Sequence, residues 1–311
     1  MKTFIYRLLS ISSVLFVIII ALELIAFAFP NEYSFKRKYV EKSGDKIKVL
    51  VLGHSHTAHG IDPMAIGDSV FNMAISGRVH YYDAQLAERY IPTLKNLKCV
   101  IWPIGYNFGY LSYLYDVTEN KISNDFMSTY QCMYEKYMNI SYEKHIPYFH
   151  LSELTVNSHE FTKKIFSKNK ASMMDCDSVG YKKLSKKDRK ADWKQEIHIF
   201  QIDYSHPDTP KARQEGINNF KRIAAACRNA NVRLVVISTP CYRTYRERMT
   251  ERGKREMMEC VDSMRSVYPA MEYYNFIADS RFTDDDFFDA SHVCDQGAEK
   301  LSKILKDTLN L

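Results

Sequence analysis

Lys46-Ile-Lys-Val-Leu-Val-Leu-Gly-His-Ser-His56 carries an apolar run that stops abruptly at a glycine, two imidazoles and a hydroxyl. Residues 46–52 read as a strand buried on both faces, because Val49 to Leu52 follow one another without polar alternation. Gly53 then permits a sharp turn. A serine just past such a turn, Ser55, can project its hydroxyl into the crevice at the carboxyl end of the strand. Working outward, 69–74, 98–102, 232–238 and 271–277 read as further strands. Helical periodicity occupies 81–97, 211–229, 245–267 and 294–309. Strands alternating with helices predict an α/β fold, a parallel sheet with helices on both faces. Functional groups then belong at the carboxyl ends of the strands. Residues 106–150 are rich in aromatics, and 158–195 are dense in lysine and read as an insertion or surface loop. The chain has no internal repeat and no glycine-rich phosphate loop.

Composition bounds the classes. A chain of 311 residues suffices for one large α/β domain or two small ones. Only 11 Gly and 9 Pro exclude collagen-like and low-complexity chains. A mean hydropathy of -0.34, with a single long apolar stretch, excludes a polytopic membrane protein. The net charge of +6 is modest for this length, and no binding motif accompanies it, so nucleic acid is not an expected partner. The seven cysteines are dispersed without a C-x-x-C, which excludes a zinc ribbon and a disulfide-dense mini-domain. Their odd number leaves at least one thiol unpaired in a monomer, with one or two disulfides left open.

Residues 8–29 are almost entirely apolar and would span about 33 Å as a helix, enough for a bilayer core of about 30 Å. The length of the run favours an uncleaved anchor. A cleaved signal is the alternative, since Ala26-Phe27-Ala28 resembles a small-x-small cleavage site. Lys2 and Arg7 compete with Lys36, Arg37 and Lys38, so the positive-inside rule leaves orientation open. Glu23 is the one charge inside the span. It reads either as an interfacial side chain or as a contact with a membrane partner.

Four segments fall where an α/β fold would build a site. Gly53-His54-Ser55-His56 follows the first strand, and Asn72-Met-Ala-Ile-Ser-Gly77 follows the second. A glycine in that second position lets its backbone N–H approach a developing oxyanion. Gly105-Tyr106-Asn107 follows the third strand, and its Asn amide can donate to the same oxygen. Near the C-terminus stands Asp289-Ala290-Ser291-His292. An Asp three residues before a His can accept from its Nδ1–H, fix the tautomer and stabilise the imidazolium.

Together these blocks resemble the SGNH (GDSL-like) hydrolase superfamily, whose blocks run Gly-Asp-Ser, N-x-x-x-S-G, G-x-N and D-x-x-H. The resemblance covers about 46–110 and 210–310. It implies a flavodoxin-like three-layer αβα fold with a parallel central sheet. It also implies Ser55 as nucleophile, His292 as base, Asp289 as its acid, and an oxyanion hole from Ser55, Gly77 and Asn107. His54, His56 and Tyr106 are the candidate substrate-binding residues, and no metal or cofactor is expected. His54 stands where the family has Asp, a residue that supports the turn and does not attack.

Ser55 to Pro63, S-H-T-A-H-G-I-D-P, looks more like the membrane-anchored envelope branch. That branch includes the D-alanine-transfer protein of teichoic acid modification and alginate O-acetyltransferase-like proteins. The implied organisation is a transmembrane anchor at 1–30, a tether at 31–45, and a catalytic domain at 46–311 with a mostly helical insertion at about 111–205. The implied activity is that of a serine esterase or O-acyltransferase on ester groups of envelope polysaccharide or glycolipid, outside the cytoplasm. Its partners would be the membrane, the acylated glycan and a membrane-bound acyltransferase.

Two other readings stand beside it. One is an SGNH-fold module that binds or assists without catalysis. The other is a metal site on His54, His56 and His59, although Ala58 stands where the metallo-β-lactamase pattern H-x-H-x-D-H has Asp. The lysines between 163 and 190 read as a solvated loop, or as an attraction for anionic polymer or lipid headgroups.

Overall fold

A computed structural model describes residues 2–28, 31–105, 115–116, 121–122, 132–140, 175–195 and 210–310. The chain divides into two compact units, Met1–Phe35 with Asn124–Asp175, and Lys36–Ser123 with Cys176–Leu311.

The second unit is built on five strands: β1 (Val49–Val51), β2 (Val70–Asn72), β3 (Cys99–Pro103), β4 (Arg233–Ser238) and β5 (Glu272–Asn275). They lie in the order β2-β1-β3-β4-β5, and every pairing is parallel. Each of the five apolar runs expected to be a strand overlaps one, β3 running one residue further to Pro103. The described helices are α1 (Lys2–Ala28), α2 (Glu32–Ser43), α3 (Ser55–Gly60), α4 (Pro63–Ile66), α5 (His80–Tyr90), α6 (Cys132–Met138), α7 (Pro210–Asn229), α8 (Arg243–Arg246), α9 (Glu251–Val267) and α10 (Asp295–Leu309).

The period of two along a strand sends alternate side chains to opposite faces. Val49, Val51, Cys99, Ile101, Val235 and Ile237 pack with Ile61, Ile66, Leu301 and Leu305, which puts α10 and the α3–α4 segment on one face. The intervening Leu50, Val100, Trp102, Leu234 and Val236 are fully buried toward the other. There Trp102 meets the rings of His80 at 5.2 Å and Phe220 at 5.6 Å, from α5 and α7. Burial on both faces is why these strands read as continuous apolar runs. Each such side chain contributes roughly 1.5–3 kcal/mol.

Several boundaries differ from the sequence expectation. The helix expected over 81–97 ends at Tyr90, because Pro92 has no N–H to continue it and the chain tightens into a single 3-10 turn. The helix expected over 245–267 is two, α8 and α9, separated where Thr250 caps α9 by accepting from the Gly253 N–H. The 31–45 stretch, read from composition as a tether, is helical over Glu32–Ser43. Its second half packs on the sheet unit, with Val40 buried and Tyr39 stacked on Phe71 at 4.1 Å. Within the expected insertion, Cys176 to Gln195 belongs to the sheet unit, where Tyr181 and Trp193 pack with Phe287, Val293 and Ala298. A short antiparallel pair, Tyr115–Asp116 with Lys121–Ile122, stands apart from the main sheet. Among the described residues, Cys99, Cys227, Cys241 and Cys294 are buried free thiols, so none of them forms a disulfide.

In the first unit α1 presents Phe4, Leu9, Val17 and Leu24 outward and packs its apolar surface on nothing described. A window of mean hydropathy 2.7 makes it long and apolar enough to cross a membrane, a property that signal sequences share. In the same unit, Tyr33 meets the Tyr134 ring edge-on at 5.3 Å.

Candidate active site

The site begins where β1 ends. Gly53 takes φ +111, and a Cβ there would lie 2.2 Å from Pro103 Cδ, so only glycine fits the turn. Its N–H donates to Asp83 Oδ1 at 3.1 Å. The same buried carboxylate accepts from Arg78 Nη1 at 3.1 Å and from Trp102 Nε1 at 3.0 Å. Asp83 therefore supports the turn from across the sheet, a role that His54 cannot take. His54 instead caps α3, its Nδ1 accepting from the His56 N–H at 3.4 Å. Ser55 is the first residue of α3. Thr57 ties that helix back to the strand through Leu52 O at 2.8 Å, and Asn72 Nδ2 donates to Thr57 O at 2.8 Å and Ile61 O at 2.9 Å.

Opposite Ser55 is a loop closed by the Phe287↔Val293 antiparallel bridge and by Cys294 N–H donating to Asp286 O at 2.9 Å. The loop folds onto its own carboxylate. Asp289 Oδ1 accepts from Ser291 N at 2.7 Å, Ser291 Oγ at 2.8 Å and His292 N at 2.8 Å. Both Asp289 oxygens face His292 Nδ1, at 2.9 and 3.1 Å, and His292 Nε2 lies 2.9 Å from Ser55 Oγ. Residues 237 apart in sequence are thus in hydrogen-bond contact.

Electrostatics assign the protons. Burial alone would raise the Asp289 carboxyl. The hydrogen bonds from His292 and Ser291, with the imidazole charge, outweigh it and hold the group well below the usual carboxylate range. An ionised Asp289 requires Nδ1–H on His292. That leaves the Nε2 lone pair toward Ser55, whose hydroxyl donates.

Two more histidines pack on His292. Its ring lies 4.9 Å from that of His56 and 5.6 Å from that of His59. Burial, then the nearness of His292, lowers both His56 and His59 to about 3. Burial also pushes His54 well below its ordinary value, helped by His56, His80 and His292. All three are neutral near pH 7. His59 Nδ1 lies 2.7 Å from Lys182 O, an oxygen that only accepts, so Nδ1 carries the proton. Nε2 then accepts from Ser76 Oγ at 3.0 Å. His56 Nδ1 and Thr239 Oγ1 are 2.9 Å apart. Both ring nitrogens of His59 and Nδ1 of His56 thus have protein partners, and among the described residues no three His, Cys, Asp or Glu groups are arranged to hold a metal ion.

Gly77 follows Ser76 in the loop after β2, with φ +75. Among the described residues, neither the Ser55 nor the Gly77 backbone N–H donates a hydrogen bond. Tyr106 and Asn107 lie outside the described residues. Sequence reasoning passed over Asp83, Arg78 and Ser291, and also Lys36, a fully buried ammonium that donates to Ala74 O in the same loop. Asp83 left one signal: it stands between aromatic and aliphatic residues in the first turn of α5, five residues after Arg78. Lys36 left none, because it lies in a stretch rich in other charges.

Taken together, the hydroxyl, imidazole and carboxylate can move one proton off Ser55 as its oxygen attacks an electrophile. No protein-family model matches this chain, and no curated protein matches it either.

Proposed function

We propose that the chain is a membrane-anchored serine esterase or O-acyltransferase of the SGNH type, acting on ester groups of an envelope polysaccharide or glycolipid. One observation carries the reading: the Ser55–His292–Asp289 contact, with Asp289 on Nδ1 and Ser55 on Nε2 of one imidazole. Two others support it. The strand order 2-1-3-4-5 is that of flavodoxin-like doubly wound folds, and Ser55 stands at the carboxyl end of β1 beside the point where that order reverses. In addition, among the described residues neither the Ser55 nor the Gly77 backbone N–H meets an acceptor.

In this mechanism His292 Nε2 takes the Ser55 proton while Oγ bonds to the ester carbonyl carbon. The C=O electrons move onto oxygen. The N–H groups of Ser55 and Gly77 and the Asn107 amide stabilise that oxyanion, each donor contributing about 3–4 kcal/mol. Collapse expels the alcohol, which takes the proton from His292, and leaves an acyl-Ser55 ester. Water or a sugar hydroxyl, deprotonated by the same imidazole, then attacks and regenerates Ser55. With α1 as an anchor, the sheet unit would work outside the cytoplasm on a glycan at the membrane surface. Full-length chain in detergent should hydrolyse p-nitrophenyl acetate, and Ser55→Ala should lower kcat by at least about a thousand-fold. Equal rates in the two proteins would discard the reading.

A further inference from the structure

Around the site, Ser55, Ser76, Gly77 and His292 are partly exposed, whereas His54, His56, His59 and Asp289 are buried. Substrate therefore meets the first four. Three of them have a part in the reaction proposed above, and Ser76 is the fourth. A chain of hydrogen bonds fixes what its side chain can offer. Lys182 O only accepts, so the His59 proton sits on Nδ1, 2.7 Å away. Burial and the nearness of His292 keep that ring neutral. Its Nε2 is then a bare lone pair, 3.0 Å from Ser76 Oγ, and takes the single hydroxyl proton that Ser76 has. What remains on the exposed side of Ser76 is an oxygen that can only accept.

This acceptor stands close to the chemistry. The His59 ring lies 5.6 Å from that of His292, and Ser76 directly precedes Gly77. An ester with its carbonyl carbon at Ser55 Oγ and its oxygen at the Gly77 N–H brings the neighbouring part of the substrate to Ser76. The loop is also held from several sides. Lys36 Nζ donates to Ala74 O, the Ala74 N–H to Asn72 Oδ1 at 3.0 Å, and the Ile75 N–H to Gly53 O at 3.1 Å. A fixed acceptor discriminates well, because it cannot turn away from a group that fails to donate. A simple acyl group such as acetyl has no donor, so the donor belongs to the alcohol part of the ester. On a glycan, that donor is the free hydroxyl beside the esterified one.

We propose that Ser76 is a specificity-determining residue that accepts a hydrogen bond from a free hydroxyl adjacent to the scissile ester, so that the substrate is a partly esterified vicinal diol. This inference rests on the esterase reading and narrows its substrate. The test compares kcat/KM of the full-length chain in detergent on ethylene glycol monoacetate and on its methyl ether, which lacks the donor. The wild type should favour the hydroxy ester by about ten-fold or more, because the ether oxygen meets Ser76 lone pair to lone pair. Ser76→Ala should bring the ratio to about one, and Ser76→Thr, which keeps a hydroxyl, should restore most of the preference. A general disturbance of the loop slows both esters and cancels in the ratio. A wild-type ratio near one, or a preference that survives Ser76→Ala, overturns the assignment. Turnover of p-nitrophenyl acetate without turnover of the hydroxy ester overturns it too, and leaves the esterase reading standing. A chain inert toward p-nitrophenyl acetate loses the esterase reading. The imidazole nitrogen NMR shifts of His59, identified by their absence in His59→Gln, then judge Ser76 separately. A protonated Nδ1 and a bare Nε2 at neutral pH keep Ser76 an acceptor, and the opposite tautomer overturns the assignment.

Discussion

In the proposed reaction, Asp289 controls the rate without touching substrate. Its charge is what makes Nδ1 the protonated nitrogen of His292, and an amide in its place can present its NH2 and favour the opposite tautomer. Asp289→Asn should therefore lower kcat for p-nitrophenyl acetate by about a thousand-fold or more with little change in KM. A KM effect alone would place the residue in binding instead. Asp83 sets the position of the turn rather than its chemistry. Asp83→Ala removes the acceptor of the Gly53 N–H and leaves the buried Arg78 guanidinium without its carboxylate, with a cost of about 3–5 kcal/mol. The urea midpoint should fall accordingly, and the Ser55–His292 geometry should loosen with it. The contrast between these two carboxylates shows what sequence can reveal at this scale. Asp289 and His292 are neighbours in sequence, so their pairing is written in a four-residue motif. Asp83 reaches Gly53 across 30 positions, and only the folded sheet brings them together.

At the scale of an element, α3 holds three imidazoles in six residues and their cap, and burial keeps them uncharged. His56 and His59 titrate near 3 when folded but at about 6.5 in an unfolded chain. Between these values the unfolded chain binds more protons, so stability falls as the pH drops below about 6.5 and goes on falling toward 3. Each histidine contributes at most about 1.4 kcal/mol per pH unit in that window. Asp289, depressed in the fold, adds the same sign only once the pH falls below its unfolded value of about 3.9. Urea midpoints measured from pH 7 to pH 4 should decline steadily, and His59→Gln should flatten the decline. A flat wild-type profile would mean that these rings are charged in the fold. The sequence reading took His56 as substrate-binding and set a metal site on His54, His56 and His59 beside it, since spacing alone cannot distinguish a buried neutral ring from a ligand. The helix containing them was not anticipated either, because six residues give too few turns for a periodic pattern.

Over the whole molecule, the sheet was readable and the periphery was not, for one physical reason. Strands buried on both faces advertise themselves as apolar runs, whereas α2 and the 175–195 segment are polar in composition and gain their place from tertiary contacts. Lys36 is buried on Ala74 O, while Lys183, Lys186 and Lys194 pair with Asp295, Asp285 and Asp284 at 3.2, 2.8 and 2.6 Å. The lysine-dense stretch is thus partly neutralised by the loop that precedes α10 and by the first residue of that helix. The apolar N-terminus differs: Phe4, Leu9, Val17 and Leu24 of α1 face outward. In water, that much exposed aliphatic surface would drive aggregation, and in a bilayer it is the ordinary surface of a spanning helix. An anchor and a cleaved signal then differ in one measurable property, the first residue of the mature chain. Expressed in a bacterial host, the protein should keep residues 2–28, sediment with membranes and stay there through a carbonate wash. Deleting residues 2–28 should release it into the soluble fraction with the proposed esterase activity intact. A mature chain beginning just after Ala28, soluble without any deletion, would remove the anchor from the account, and Ser55 and its partners would then act on esters free of any membrane surface.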